Sequence, residues 1–374
     1  MKLIPAYILL LVFLASFTMS KEPVPVLPHS CLDVTDSTAN GLSQLDTIVT
    51  GKRIFVIGEM HGTNANPKLF MKMLRYLYAK ANVRHIIMEY GPAECFLMQR
   101  YLDSGDEKWV EDSWLYKMPE YKQMLHELYA FNSAADEKVD LIGLDFDSDH
   151  LFAKAVSALM PEGKVIPEAL KPMMDSVAAN NARISSFTSR NFIAQFQADY
   201  ELHKDEYRSY FGDNFGYIIM FTENDASFKK FNDRDSQMAL NFIGADDGDT
   251  TRNYFGMFGW SHVYRNTSRS FINKVENDIY EYPGFYQKAL CFGIAYDSCS
   301  FMYKTEYLLP VGNALEFVKA KDSETIMDAF RRQANCDAAI FDTRDSGNGL
   351  IETVNAHFDL TIYIRNSKAC RFTQ

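Results

Sequence analysis

The chain has 374 residues, 47% apolar, 14% aromatic and 23% charged, which excludes a disordered chain, a collagen-like repeat and a small stapled scaffold. Lys and Arg number 38 against 49 Asp and Glu, a net charge of −11. A nucleic-acid binder needs a basic surplus to neutralise phosphates, and an acidic surface gains nothing on anionic lipid, so neither partner class is expected.

The first twenty residues, MKLIPAYILLLVFLASFTMS, join Lys2 to an unbroken apolar run from Ile8 to Ala15, with small Thr18 and Ser20 before a cleavage point near Ser20. Residues 1–20 therefore read as a signal peptide, the run being shorter than the roughly 20 apolar residues of a spanning helix. The expectation is an exported protein, periplasmic or extracellular, with no stable membrane insertion after cleavage; an uncleaved anchor is the alternative. Residues 21–30 hold three prolines and read as an exposed leader. RIFVIG at Arg53–Gly58 is apolar, β-branched and short, as in a strand buried on both faces. The polar loop EMHGTNAN comes next, then a helix signal: Asn66 as N-cap and Pro67 at the first helical position. Between Pro67 and Ala81, Leu69, Phe70, Met73, Leu74 and Leu77 share one helical face. A second buried strand, HIIMEY, spans His85–Tyr90, so strand, helix and strand make a βαβ unit and a parallel sheet.

Helical stretches near 92–103 and 119–135 precede a third strand at Val139–Phe146. Residues 150–245 read as several helices, including Asn191–Tyr210 and Asn224–Ile243, with one short strand-like run at Tyr217–Phe221. The sheet resumes at Asn253–Trp260. Leu290–Ala295 and Ser300–Tyr307 predict an antiparallel hairpin about Tyr296-Asp297-Ser298, and AAIFD and Asp359–Ile364 supply late strands. The fold class is thus α/β, a mostly parallel central sheet flanked by helices. One domain covers 21–374, with a helical insertion at about 150–245 and a late antiparallel hairpin. Six cysteines allow 15 disulfide pairings, and Cys291 with Cys299, flanking the hairpin turn, is the closest local pair. The absence of Cys-x-x-Cys argues against a thiol zinc site or a redox dithiol.

Open parallel sheets bind ligands outside the carboxyl ends of their strands, so the residues at and just beyond each strand end are informative. Glu59 and His61 come after the first strand, Glu89 ends the second, Asp145 and Asp147 the third, and Ser261 and His262 come after the fourth. Ionisable groups are costly to bury and are seldom collected on one edge for packing alone. Each has a plainer reading: a solvated loop for Glu59 and His61, an arginine partner for Glu89, helix caps for Asp145 and Asp147, a satisfied loop histidine for His262. Arg234, in the helical FNDRDSQMALNF, could equally make a surface salt bridge to Asp235 or Glu223. His29, His85, His126, His150, His203 and His357 read as surface or packing residues.

The same residues resemble the superfamily of erythromycin esterase-like, ChaN-like and Tiki-like proteins. The carriers are VIGEMHG at Val56–Gly62, the IIMEYG strand end, GLDFD at Gly143–Asp147, RDSQMALNF at Arg234–Phe242 and FGWSHV at Phe258–Val263, in order along nearly the whole mature chain. The resemblance implies an α/β fold whose strand-end Glu and His line a polar cleft, with Glu59, His61, Glu89, Arg234 and His262 as the matching catalytic positions. Asp145, Asp147 and Trp260 are expected to contact substrate. A single residue separates Glu59 from His61, a spacing more like the ChaN-like branch than the esterases, and Ser261-His262 offers one histidine where esterases carry a pair.

The leading expectation is a hydrolase of an ester, lactone or amide in a small molecule or peptide. His61 would take a proton from water, Glu59 or Glu89 would orient it, and Arg234 and His262 would stabilise the oxyanion. No Gly-x-Ser-x-Gly elbow is present. Two alternatives stand beside it. One is a Tiki-type peptidase using a divalent metal ion held among Glu59, His61, Glu89, Asp145 and His262. The other is a non-enzymatic haem- or ligand-binding protein of ChaN type.

Overall fold

The computed structural model describes residues 24–182, 191–231, 233–277, 283–302, 306–308, 315, 319–344 and 346–372. The expected signal peptide lies outside the described residues. Among the described residues there are ten strands: β1 (His29–Cys31), β2 (Ile54–Glu59), β3 (His85–Met88), β4 (Asp140–Gly143), β5 (Tyr254–Gly259), β6 (Ala289–Asp297), β7 (Ser300–Met302), β8 (Glu306–Leu308), β9 (Ala338–Asp342) and β10 (Leu360–Arg365). Eight of them form one sheet in the order β1-β9-β10-β6-β2-β5-β3-β4. All neighbours from β10 to β4 run parallel, while β9 is antiparallel to both β10 and β1. The α/β class with a mostly parallel sheet is therefore the observed one.

Every residue of β2 and β6 is buried, as expected for strands covered by helices on both faces. The helix Ala65–Lys80 lays Leu69, Phe70, Met73, Leu74 and Leu77 into the core, and Phe70 meets Phe255 of β5 with ring centroids 5.1 Å apart. Between β4 and β5 the chain is helical: Asp149–Leu159, Lys171–Asn181, Asn191–Leu202, Lys204–Phe211, Phe215–Phe231 and Arg234–Asp246. Most of these helices share a second apolar core with Ala93, Phe96 and Leu97 of the helix Pro92–Ser104, which ties the insertion to the sheet layer.

Four local expectations are corrected. Tyr217–Phe221 is not a strand but lies within the helix Phe215–Phe231, where Ile218 and Phe221 are buried one helical turn apart. Residues 24–31 are not a free leader: Leu27 is buried, and β1 extends the sheet edge against β9. β6 does not fold back on β7. It runs between β2 and β10, and β7 pairs with β8 in a separate two-stranded sheet. Cys291 in mid-β6 and Cys299 beyond its end are consequently not opposite each other; both are free and buried. The disulfide joins Cys31 to Cys336 instead, linking the edge strand β1 to the turn before β9 across 305 residues of sequence.

Candidate active site

The strands β2, β5, β3 and β4 are adjacent in that order, so their carboxyl ends form one stretch of sheet edge. Glu59 ends β2, and His61 lies just beyond it in a turn whose Gly62 has φ +92°. A side chain at Gly62 would strike the Met302 backbone, so only glycine allows β7 to close on this loop. The Gly62 carbonyl accepts from Met302 N–H at 2.9 Å and Cys370 N–H at 2.8 Å. The loop carrying His61 is therefore pinned to distant chain.

His61 Nδ1 lies 2.6 Å from Glu59 Oε1, and its Nε2 lies 3.9 Å from Glu89 Oε2. The Glu59 and Glu89 side chains are 6% and 10% exposed against 49% for His61, so the imidazole stands at the rim over buried carboxylates. Gly259 N–H donates to Glu89 Oε2 at 2.7 Å. A β-carbon built on Gly259 would lie 3.5 Å from His61 Nε2, 3.7 Å from Glu89 Oε2 and 3.7 Å from His262 Cδ2. Gly259 thus leaves open a space on which His61, Glu89 and His262 converge.

Arg234 opens the helix Arg234–Asp246, where the Asp233 side chain caps the first turn. Its Nε donates to Asp145 Oδ1 at 2.9 Å and its Nη2 to Glu89 Oε1 at 2.8 Å, and Nη2 also bonds Asp145 Oδ2. Nη1 lies 3.2 Å from His262 Nε2. His262, in the short helix Trp260–Val263, sets Nδ1 2.8 Å from Asp235 Oδ1 and Nε2 3.3 Å from Glu89 Oε1. The surface salt bridge considered for Arg234 is therefore not made; its guanidinium bridges the ends of β3 and β4.

Charge coupling sets the protonation states. Desolvation opposes a charged His61, but the charge and hydrogen bond of Glu59, helped by Glu89, raise its pKa to about 9. Desolvation is likewise outweighed at His262, where Asp235 and Glu89 raise the pKa to about 10. Burial would push Glu89 up, yet His262, His61 and Arg234 together hold it well below the usual carboxylate range.

Glu59, His61, Glu89, Asp145, Arg234 and His262 thus come together. Asp147 and Trp260 do not. The Asp147 carboxylate turns inward and accepts from Ala93 N–H at 3.2 Å and Glu94 N–H at 3.0 Å, capping the helix Pro92–Ser104. The approach is so close that any side chain at Gly91 would overlap Asp147. Burial raises the Asp147 pKa to about 7 and that of neighbouring Glu94 to about 8. Trp260 is buried in the core, its ring 5.6 Å from that of Tyr296 and its edge against Gly58.

Sequence reasoning missed three participants. Asp235 holds His262, and also accepts Phe271 N–H at 2.6 Å; its place beside Arg234 at a helix start was the available signal. Asn66 is not the N-cap. The helix begins at Ala65 after Asn64, and the Asn66 amide reaches Glu59 Oε2 instead. Tyr296 bonds that amide from β6, which no local pattern announces.

The acidic and imidazole groups do not form a metal-ligand set. Among the described residues no three His, Cys, Asp or Glu side chains are disposed to hold a metal ion. Glu89 and Asp145 direct oxygens at the guanidinium, and both Nδ1 atoms face carboxylates, so the donors are already committed. Arg234 stands as a fixed cation between the two acids a metal would need. A cavity of about 500 Å³ is lined by Asn64, Lys68, Glu120, Glu127 and Arg371 among others, and by none of the site residues.

The fold is shared with known proteins. A protein from Bacillus cereus superposes with a TM-score of 0.63 at 14% identity, over 92% of this chain and 97% of that one. A succinoglycan biosynthesis protein gives 0.63 at 12% identity, over 91% and 95%. An erythromycin esterase carrying a histidine-to-asparagine change, in its open conformation, gives 0.55 at 14% identity, over 89% and 94%. This chain therefore has the fold of an erythromycin esterase over 89% of its length, the fold that the sequence resemblance implies. No family model and no curated protein matches the sequence.

Proposed function

We propose that this protein is an exported hydrolase in which His61 activates water for attack on an ester, lactone or amide carbonyl. The observation that carries the reading is the 2.6 Å contact of Glu59 Oε1 with His61 Nδ1, with Nε2 turned to the open space over Gly259. Glu59 accepts Nδ1–H, which leaves Nε2 as the atom that takes a proton from water and returns it to the leaving group. His262 and the Arg234 guanidinium, gathered with His61 around Glu89, are the donors suited to charge developing on the carbonyl oxygen. Such a donor contributes roughly 3–4 kcal/mol of transition-state stabilisation. Glu89 lies between the three cationic groups and keeps them in register. The Cys31–Cys336 bond and the apolar N-terminal run support export.

The test is hydrolysis of a panel of chromogenic aryl esters, lactones and p-nitroanilides by wild type and His61→Ala, each with and without chelator. A loss of at least about a hundredfold in His61→Ala, indifferent to chelator, is expected for removal of a general base. Full activity in His61→Ala against every substrate that wild type cleaves refutes the mechanism.

A further inference from the structure

We propose that Tyr296 and Asn66 are positioning residues for the Glu59–His61 pair: a buried relay from phenol to amide to carboxylate fixes which Glu59 oxygen faces the imidazole. The proposal rests on the reading of His61 as the base. Its geometry stands apart from that reading.

Asn66 is fully buried in the first turn of the helix Ala65–Lys80, and Tyr296 is 1% exposed at the carboxyl end of β6. Asn66 Nδ2 donates to Glu59 Oε2 and, at 2.8 Å, to the Met60 carbonyl. Tyr296 O–H donates to Asn66 Oδ1 at 3.0 Å, and the phenol oxygen accepts from Met60 N–H at 3.2 Å. These contacts settle the amide orientation: two acceptors face one end, so that end is the nitrogen, and the phenol proton must meet the oxygen. The ring of bonds closes on Met60, the residue between Glu59 and His61.

An asparagine so close to a helix start ordinarily caps it. Here that work is done from elsewhere, because Ala65 N–H donates to Ser367 Oγ at 3.2 Å. Asn66 is released to face the site. With Oε2 tied to the amide, Oε1 is the oxygen left to meet His61 Nδ1 at 2.6 Å. The imidazole is thereby held with Nδ1–H inward and Nε2 outward. Removing the phenol proton donor leaves the buried amide oxygen without its hydrogen bond and unpins that end of the amide, so its hold on Glu59 Oε2 weakens and the carboxylate loosens.

The experiment is solution NMR of ¹⁵N-histidine-labelled protein, reading the His61 Nδ1–H resonance, identified by its loss in His61→Ala. Wild type is expected to show this proton far downfield and slow to exchange, as a short charge-assisted hydrogen bond requires. In Tyr296→Phe and Asn66→Ala it should move upfield and exchange at least about tenfold faster, the change expected for one weakened hydrogen bond. Where a hydrolysed substrate has been found, kcat should fall with KM nearly unchanged. Should Asn66→Ala fail to fold, Tyr296→Phe, which removes one oxygen, decides alone. A wild type without the resonance, or a Tyr296→Phe resonance identical to wild type, overturns the proposal. The two readings fail separately. Resonance loss in a protein without hydrolase activity refutes the function and keeps the relay; an active enzyme with an unmoved resonance does the opposite.

Discussion

Arg234→Met is the sharpest perturbation of the site, because it removes a guanidinium from between two buried acids while keeping a side chain of similar length. Wild-type Arg234 bonds Asp145 at 2.9 Å and Glu89 at 2.8 Å, and the acid side chains are 6% and 10% exposed. Breaking a buried pair by removing one partner costs about 3–5 kcal/mol, since the other charge is left uncompensated. Arg234 itself is 39% exposed, so water can enter the vacated position and screen the acids. Glu89 also keeps Gly259 N–H at 2.7 Å and His262 at 3.3 Å. The net loss should therefore be about 2–3 kcal/mol at pH 7, roughly 4–6 °C in Tm at about 2 °C per kcal/mol for a chain this long. The pH dependence is the discriminating feature. In wild type the folded pKa of Glu89 lies below its unfolded value of 4.5, so its pairing stabilises the fold above that pH and the benefit is lost as pH falls. The variant holds less of this stabilisation and has less to lose, so its deficit should hold from pH 7 to pH 4 and shrink only as pH falls from 4 towards 2. Urea unfolding followed by far-UV circular dichroism at pH 7, 4 and 2 measures it. A deficit below about 0.5 kcal/mol at pH 7, the range of ordinary surface substitutions, refutes the reasoning; so does a deficit at pH 2 equal to that at pH 4.

With His61 raised to about 9, the neutral base is scarce at pH 7, so kcat/KM should climb about tenfold per pH unit and level off near 9. A profile flat from pH 6 to 9 would remove His61 from the base role. Gly259→Ala meets no steric obstacle, as its nearest contact is 3.5 Å and its φ is −52°, but its methyl fills the space over His61 Nε2. Tm should stay within about 1 °C of wild type while turnover falls at least about tenfold; unchanged turnover would place the reacting atoms elsewhere. For His262 the folded pKa, about 10, exceeds its ordinary 6.5, so its pairing stabilises the fold fully below 6.5 and is lost as pH rises to about 10. His262→Asn should flatten this alkaline decline in urea midpoints, and an undiminished slope would assign it to other groups. Cys31→Ser opens a loop with a sequence separation of 305, for which chain-entropy reasoning gives an upper bound of about 6 kcal/mol. A mass of the native protein equal to that of its reduced form would show that the bond is not made.

Local pattern determined the elements that deliver the site. RIFVIG, HIIMEY and NYFGMFGW are short apolar runs that only a strand buried on both faces accommodates, and their ends carry Glu59, Glu89 and His262. The parallel arrangement comes from the helix between the first two strands, and parallel strands place their carboxyl ends on one edge. That is why the convergence of Glu59, His61, Glu89, Asp145 and His262 was legible in the residue pattern, whereas Arg234, which opens a helix, was placed with them only by the family resemblance. Trp260 and Asp147 were misplaced because sequence gives the strand end to which a residue belongs but not the face its side chain takes; one enters the core and the other caps a helix. Asn66, Tyr296 and the Cys31–Cys336 bond depend on which distant strands become neighbours: β6 beside β2, β1 beside β9. Burial and turn propensity act over a few residues, whereas strand order emerges only when the whole core packs, so tertiary structure alone decided what surrounds the histidine that local pattern brings to the edge.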